Sequence, residues 1–208
     1  MLQPLAAVAL AALLVAAASS APQTNASEDV RFRWAFAART GPEGARKLAR
    51  VTDDVTLRSG DEIRMLVGPV TSCFVYLVHE DPAGAIVPLF PDAGGAFPAS
   101  YQPGALFDIP SSGDWLRLDD ATGIERIYLT ASSARLPRLE AALKRGSRAE
   151  LIAELSALRS RYAKADWVER PVQIGGLVRG HQAPDIRSMV TEIAAKAFFS
   201  RVFVIDHR

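Results

Sequence analysis

The chain has 208 residues, 49% hydrophobic and 23% charged, with 24 Lys and Arg against 23 Asp and Glu. A net charge of +1 gives it no whole-chain attraction for nucleic acid or an acidic membrane surface. Its single cysteine, Cys73, excludes an internal disulfide, so packing alone must hold the fold.

From Leu5 to Ala18 no charged or strongly polar side chain appears, and small residues follow through Ala21. This is the pattern of a secretion signal, and the run is too short for the roughly 20 apolar residues of a membrane span. We assign residues 1–21 to the signal. Pro22 suits a residue directly after a cut badly, which favours cleavage after Ala18 or Ser20, and no cysteine lies nearby to carry a lipid. The expected destination is the periplasm or the extracellular space, with no stable membrane span after cleavage. Twenty Arg against four Lys, and one Asn (Asn25), point to a GC-rich bacterial genome.

A short polar linker (22–29) precedes Val30-Arg31-Phe32-Arg33-Trp34-Ala35-Phe36, whose strict alternation is that of a half-buried strand. Ser59-Gly60-Asp61 turns the chain into a strand over Glu62–Val67, and Gly68-Pro69 breaks it. Cys73–His79 is apolar on both faces, which predicts an interior strand with an inert, buried Cys73. Asp81-Pro82-Ala83-Gly84 reads as the turn of a hairpin returning through Ala85–Phe90, where Pro88 predicts an edge strand or a bulge. Residues 91–114 read as loops around one short strand, followed by strands at Asp114–Leu118 and Glu125–Ala131.

From Pro137 the period changes. Leu136, Leu139 and Leu143 suggest a short helix, and Ser147-Arg148-Ala149-Glu150 is a capping box opening a second one striped by Leu151, Leu155, Leu158 and Tyr162. Asp185–Lys196 reads as helical and Arg201–Asp206 as a final strand. The expected fold is mainly β (α+β): an antiparallel β-sandwich or barrel-like domain over 30–136, with a helical segment and final strand over 137–208 packed on it. Residues 76–125 hold eight acids and one base, and 137–164 seven bases and three acids. Such a split can dock the helices on the β face or steer a partner, or it can simply be solvated.

Chemistry is sparse. The three histidines, His79, His181 and His207, fall at no metal-ligand spacing, one cysteine builds no thiolate zinc site, and His79 reads as a surface residue beside a turn. Gly175–Gly180 lacks the spacing and the Lys of a phosphate loop. No catalytic residue, metal or cofactor is assigned. Phe97, Tyr101, Phe107 and Trp115 lie in or beside the Gly/Pro-rich acidic segment. Exposed, these rings could hold a peptide or glycan, and Phe97, Tyr101 and Trp115 are the candidate binding residues; turned inward, they cap the core.

The middle of the chain resembles the DUF4384 family, a bacterial domain of unknown function, over about residues 55–135. The resemblance is carried by Ser59-Gly60-Asp61, Val75-Tyr76-Leu77, Gly84, Leu89-Phe90-Pro91, Gly104, Ile109-Pro110, Gly123-Ile124-Glu125 and Ala131-Ser132. Leu-Phe-Pro is the most specific of these. Members often occur attached to caspase-like peptidase, protein kinase or repeat domains, and the family supplies no established catalytic residues. The resemblance implies a compact β module, accessory in role. The functional expectation is therefore a non-enzymatic binding module with an envelope protein or a peptide as partner. The alternatives are a hydrolase assembled from scattered residues such as His181, Asp185 and Ser132, or a structural envelope component.

Overall fold

The computed structural model describes residues 29–91, 97–99, 101–172 and 185–208. The expected signal segment (1–21), residues 22–28 of the linker, Gly175–Gly180 and His181 lie outside them.

Nine strands precede the helices: β1 (Asp29–Thr40), β2 (Lys47–Arg50), β3 (Val55–Leu57), β4 (Glu62–Pro69), β5 (Phe74–Glu80), β6 (Ile86–Phe90), β7 (Phe107–Ile109), β8 (Leu116–Arg117) and β9 (Gly123–Ser132). Helices α1 (Pro137–Lys144) and α2 (Arg148–Arg161) follow, then β10 (Trp167–Pro171), a 3₁₀ turn at Ile186–Met189, β11 (Thr191–Lys196) and β12 (Phe198–His207). The described residues thus form a mixed α and β fold with two sheets and two helices. One sheet runs β10-β11-β1-β4-β7, with β2 also on β1 and β8 also on β4; the other runs β3-β12-β9-β5-β6.

The alternation read in the sequence places the core. Val30, Phe32, Trp34 and Phe36 of β1 are all buried and meet the second sheet. Phe32 packs on Phe199 at 5.5 Å, while Trp34 and Phe36 meet Phe203 at 5.1 and 5.6 Å between ring centroids. Ring pairs at these separations add to the burial of apolar area that drives the sheets together. Cys73 is buried in the same core, where loss of solvent raises its thiol pKa. The β5 run, apolar on both faces, is covered on both: Val75 and Leu77 face the inter-sheet core, and Tyr76 and Val78 face the helices. β6, with Pro88, ends its sheet and also carries a register shift opposite Leu77 and Val78.

One expectation for the tail changes. Residues 185–196 do not form a helix: a short 3₁₀ turn gives way to β11, which pairs antiparallel with β1 along Asp29–Trp34. Thr191, Ile193 and Ala195 are buried while Glu192 and Ala194 are less so, an alternation of period two hidden among helix-favouring Ala and Glu. The final strand, β12, lies inside its sheet, antiparallel to β9 and parallel to β3. The capping box is half realised. Ser147 caps α2 by accepting from the Glu150 amide, but the Glu150 carboxylate accepts from Arg145 instead of reaching back.

Helices α1 and α2 cover the outer face of the second sheet through Leu139, Leu143, Leu151, Leu155 and Leu158. Two buried carboxylates lock them there. Glu140 of α1 accepts from Tyr76 Oη at 2.9 Å and from Arg135 Nε at 2.8 Å. Glu80 of β5, 2% exposed, accepts from Tyr128 Oη at 2.5 Å, Arg126 at 2.9 Å and Arg148 of α2 at 2.9 Å. Burial pushes the Glu80 carboxyl upward, but the hydrogen bonds from Tyr128 and Arg148 and the charges of Arg148 and Arg126 outweigh it, so its pKa lies below the ordinary 4.5.

A carboxylate with a depressed folded-state pKa contributes stability that is present above its unfolded value and lost as pH falls through the folded one. Glu80→Gln should therefore be markedly less stable than wild type at neutral pH in urea denaturation. That gap should close as pH falls below about 4.5.

Candidate functional site

The sheets leave one side open, where their edge strands β6 and β7 face each other across a cleft of about 650 Å3. Leu89 and Phe90 of β6 and Phe107 and Ile109 of β7 form its walls, with Tyr101 between them. Tyr101 stacks on Phe90 at 5.3 Å, Phe107 lies 5.0 Å from Phe90, and Phe74 closes the cluster 6.2 Å from Tyr101. Pro91 and Pro110, both preceded by cis peptide bonds, line the cleft too. Prolines at these strand exits also deny donors to an edge-on strand partner. The Tyr101 hydroxyl is buried and has no hydrogen-bond partner among the described residues. Desolvation pushes its pKa well above the usual tyrosine range.

The candidate binding residues from the sequence are dispersed. Tyr101 belongs to the cleft, with Phe107 beside it. Phe97 is half-buried on the helix side, 6.1 Å from Tyr76, with Lys144 5.7 Å from its ring. Trp115 is half-buried against Ala35, Ala37 and Leu66 on the outer face of the first sheet, under the Arg39 guanidinium at 4.7 Å. Each ring therefore joins a different apolar cluster. Of the scattered hydrolase candidates, Ser132 is buried at the end of β9, with its Oγ accepting from the Ala134 amide, and Asp185 precedes the 3₁₀ turn against the first sheet.

A polar row escaped the sequence reading. On the inner face of the second sheet, His207 of β12, Glu125 of β9 and His79 of β5 lie side by side on adjacent strands. Glu125 is 4% exposed; one oxygen is 2.7 Å from His207 Nδ1, the other 2.6 Å from His79 Nε2. His207 Nε2 lies 3.2 Å from the Oγ of Ser59, an exposed residue in the turn before β4. His79 is thus part of the inter-sheet face and not a free surface residue. The signal for this was present: His79 is in phase with buried Val75 and Leu77, His207 with Phe203 and Ile205, and Glu125 with Ile127 and Leu129. What the sequence lacked was the pairing of the three strands.

This row borders two further hollows. An apolar one of about 360 Å3 has His79 and Glu125 in its wall and shares Val87, Leu89 and Leu116 with the aromatic cleft. A polar one of about 670 Å3 opens over Ser59, lined also by Arg46, Arg58 and Arg117. Gly60, at φ +88°, makes the turn there, and a Cβ on it would sit 3.3 Å from the Arg117 guanidinium. Among the described residues no group of three or more His, Cys, Asp and Glu could hold a metal, and no helix is long and apolar enough to cross a membrane.

Among the described residues, two sheets and two helices place the open edge and the Ser59 turn on one central segment. Residues 56–135, which contain that segment, match the family described as "Domain of unknown function (DUF4384)", as the motif residues led us to expect. No curated protein and no solved structure matches the chain.

Removing a buried hydroxyl that lacks a partner removes its desolvation cost. Tyr101→Phe should leave thermal stability unchanged or raise it by about 1 kcal/mol. A loss of stability would mean that the hydroxyl is satisfied within the fold.

Proposed function

We propose that this chain is an exported, accessory binding module of the bacterial envelope whose ligand occupies the aromatic cleft between β6 and β7. The observation that carries this reading is the cleft itself: about 650 Å3 of mainly apolar space bounded by Phe90, Tyr101, Phe107, Pro91 and Pro110. Mostly apolar walls with few polar groups are the usual make-up of a small-ligand or peptide site. Rings beside prolines favour an extended, proline-containing peptide over a glycan, which would need more hydrogen-bonding groups than Asp108, Gln102 and Ser111 offer. The Asp108 carboxylate is already engaged by Arg64 at 2.5 Å and Arg187 at 3.1 Å, so orientation would fall chiefly to Gln102 and Ser111. In this reading the two sheets form an antiparallel β-sandwich whose open end is the site. Ring contacts such as Trp34 with Phe203, across the sheets, support that architecture. The leading apolar run supports export.

A displayed peptide library selected on the protein tests the reading, followed by calorimetric titration of the selected peptides. Selected sequences should be rich in proline and apolar residues, and Phe107→Ala should weaken them by about tenfold or more. Peptides that bind wild type and Phe107→Ala equally, or a selection that yields none, would contradict it.

A further inference from the structure

The row Ser59–His207–Glu125 has the connectivity of a nucleophile, a base and the carboxylate that positions the base. Ser59 Oγ is 3.2 Å from His207 Nε2, and His207 Nδ1 is 2.7 Å from Glu125 Oε1. Strand geometry holds each member. The Ser59 amide donates to the Arg208 carbonyl and the Arg208 amide to the Leu57 carbonyl, clamping the C-terminal strand beside the turn. His207 and Glu125 are almost wholly out of water, whereas Ser59 faces solvent. Only the hydroxyl end of the row is therefore offered to a substrate. His79 takes the second oxygen of Glu125, which leaves that carboxylate little freedom to turn away from His207.

The hollow over Ser59 says what a substrate would look like. Arg58 and Arg117 line it with no ion-pair partner among the described residues, while Arg46 is taken by Glu62 at 2.6 Å. Two acids line it as well, Glu43 and Asp61, and the Asp61 carboxylate is occupied by the backbone amides of Arg58 at 2.8 Å and Gly41 at 3.2 Å. The amides of Ser59 and Gly60 are spent on the carbonyls of Arg208 and Leu118, so they supply no oxyanion hole. The Arg117 guanidinium, beside Gly60, is the donor in place for that charge.

We infer that Ser59, with His207 as base and Glu125 as positioning residue, is a site for hydrolysing esters whose acyl part carries a negative charge. The inference is independent of the peptide cleft. In the reaction Ser59 Oγ bonds to the ester carbon as its proton passes to His207 Nε2, with the oxyanion facing Arg117. The ester C–O bond then breaks, and the leaving alcohol takes the proton from His207. Water attacks the acyl-serine in the second half: its proton goes to His207, the Ser59 ester bond breaks, and Ser59 recovers its proton as the carboxylic acid departs.

The full chain would be treated with a fluorophosphonate probe, and the labelled residue found by mass spectrometry. Hydrolysis of mono-p-nitrophenyl succinate would be compared with that of p-nitrophenyl acetate. Label on Ser59 is expected, together with a preference for the succinate ester and an approximately 10³-fold lower rate in Ser59→Ala. Arg117→Ala should erase the preference for the anionic ester. Glu125→Gln should lower kcat with little change in KM, which a purely structural role would not do in folded protein. Ser59 is exposed in a turn, so Ser59→Ala should fold, and far-UV circular dichroism checks this. No label on Ser59, or equal hydrolysis by wild type and Ser59→Ala, overturns the inference.

Discussion

Among the described residues three carboxylates, Glu80, Glu125 and Glu140, lie almost wholly out of water, and a buried charge must find partners or cost several kcal/mol. How each is satisfied determines how the parts of the chain fit together. Glu140 and Glu80 fasten the two helices to the outer face of the second sheet through Tyr76, Tyr128 and Arg148. Glu125 does the same work on the inner face, where it joins three adjacent strands through two imidazoles. The apolar core ends at that row, and the surface hollows begin beside it.

This arrangement explains why the DUF4384 match covers less than the folded unit. Residues 56–135 supply Ser59, His79, Glu125 and the whole aromatic cleft, but not His207. Nor do they supply β1 or β12, which pair along the full lengths of β4 and β9. The matched segment carries the aromatic cleft and the Ser59 turn, and the strands on either side of it complete both sheets. Gly123 shows how tightly the segment fits: at φ +143°, a Cβ there would lie 2.7 Å from the Pro82 ring.

Much of the fold was legible because its signals are local. Alternation in β1, the doubly apolar β5, the proline in β6 and the leucine stripe of α2 each depend on a few neighbouring residues. The last strand was legible too, but the stretch before it was not: Thr191–Lys196 carries helix-favouring residues, and its pairing with β1 overrides them. Of the aromatic candidates, Tyr101 was read from its Gly/Pro-rich surroundings and does line the cleft. Phe97 and Trp115 come from the same stretch, yet loop direction sends them to other clusters. The histidine row was beyond reach because its members are separated by up to 148 residues in sequence, and only strand order and register bring them together.

The central claim is that Glu125 holds both imidazoles in a fixed row at the end of the core. Long-range 15N–1H correlation spectra of the histidine side chains test it most directly. The account requires a slowly exchanging proton on Nδ1 of His207 and on Nε2 of His79, each lost in Glu125→Gln. Imidazole protons that exchange freely with water, or a His207 ring protonated only at Nε2, would contradict it.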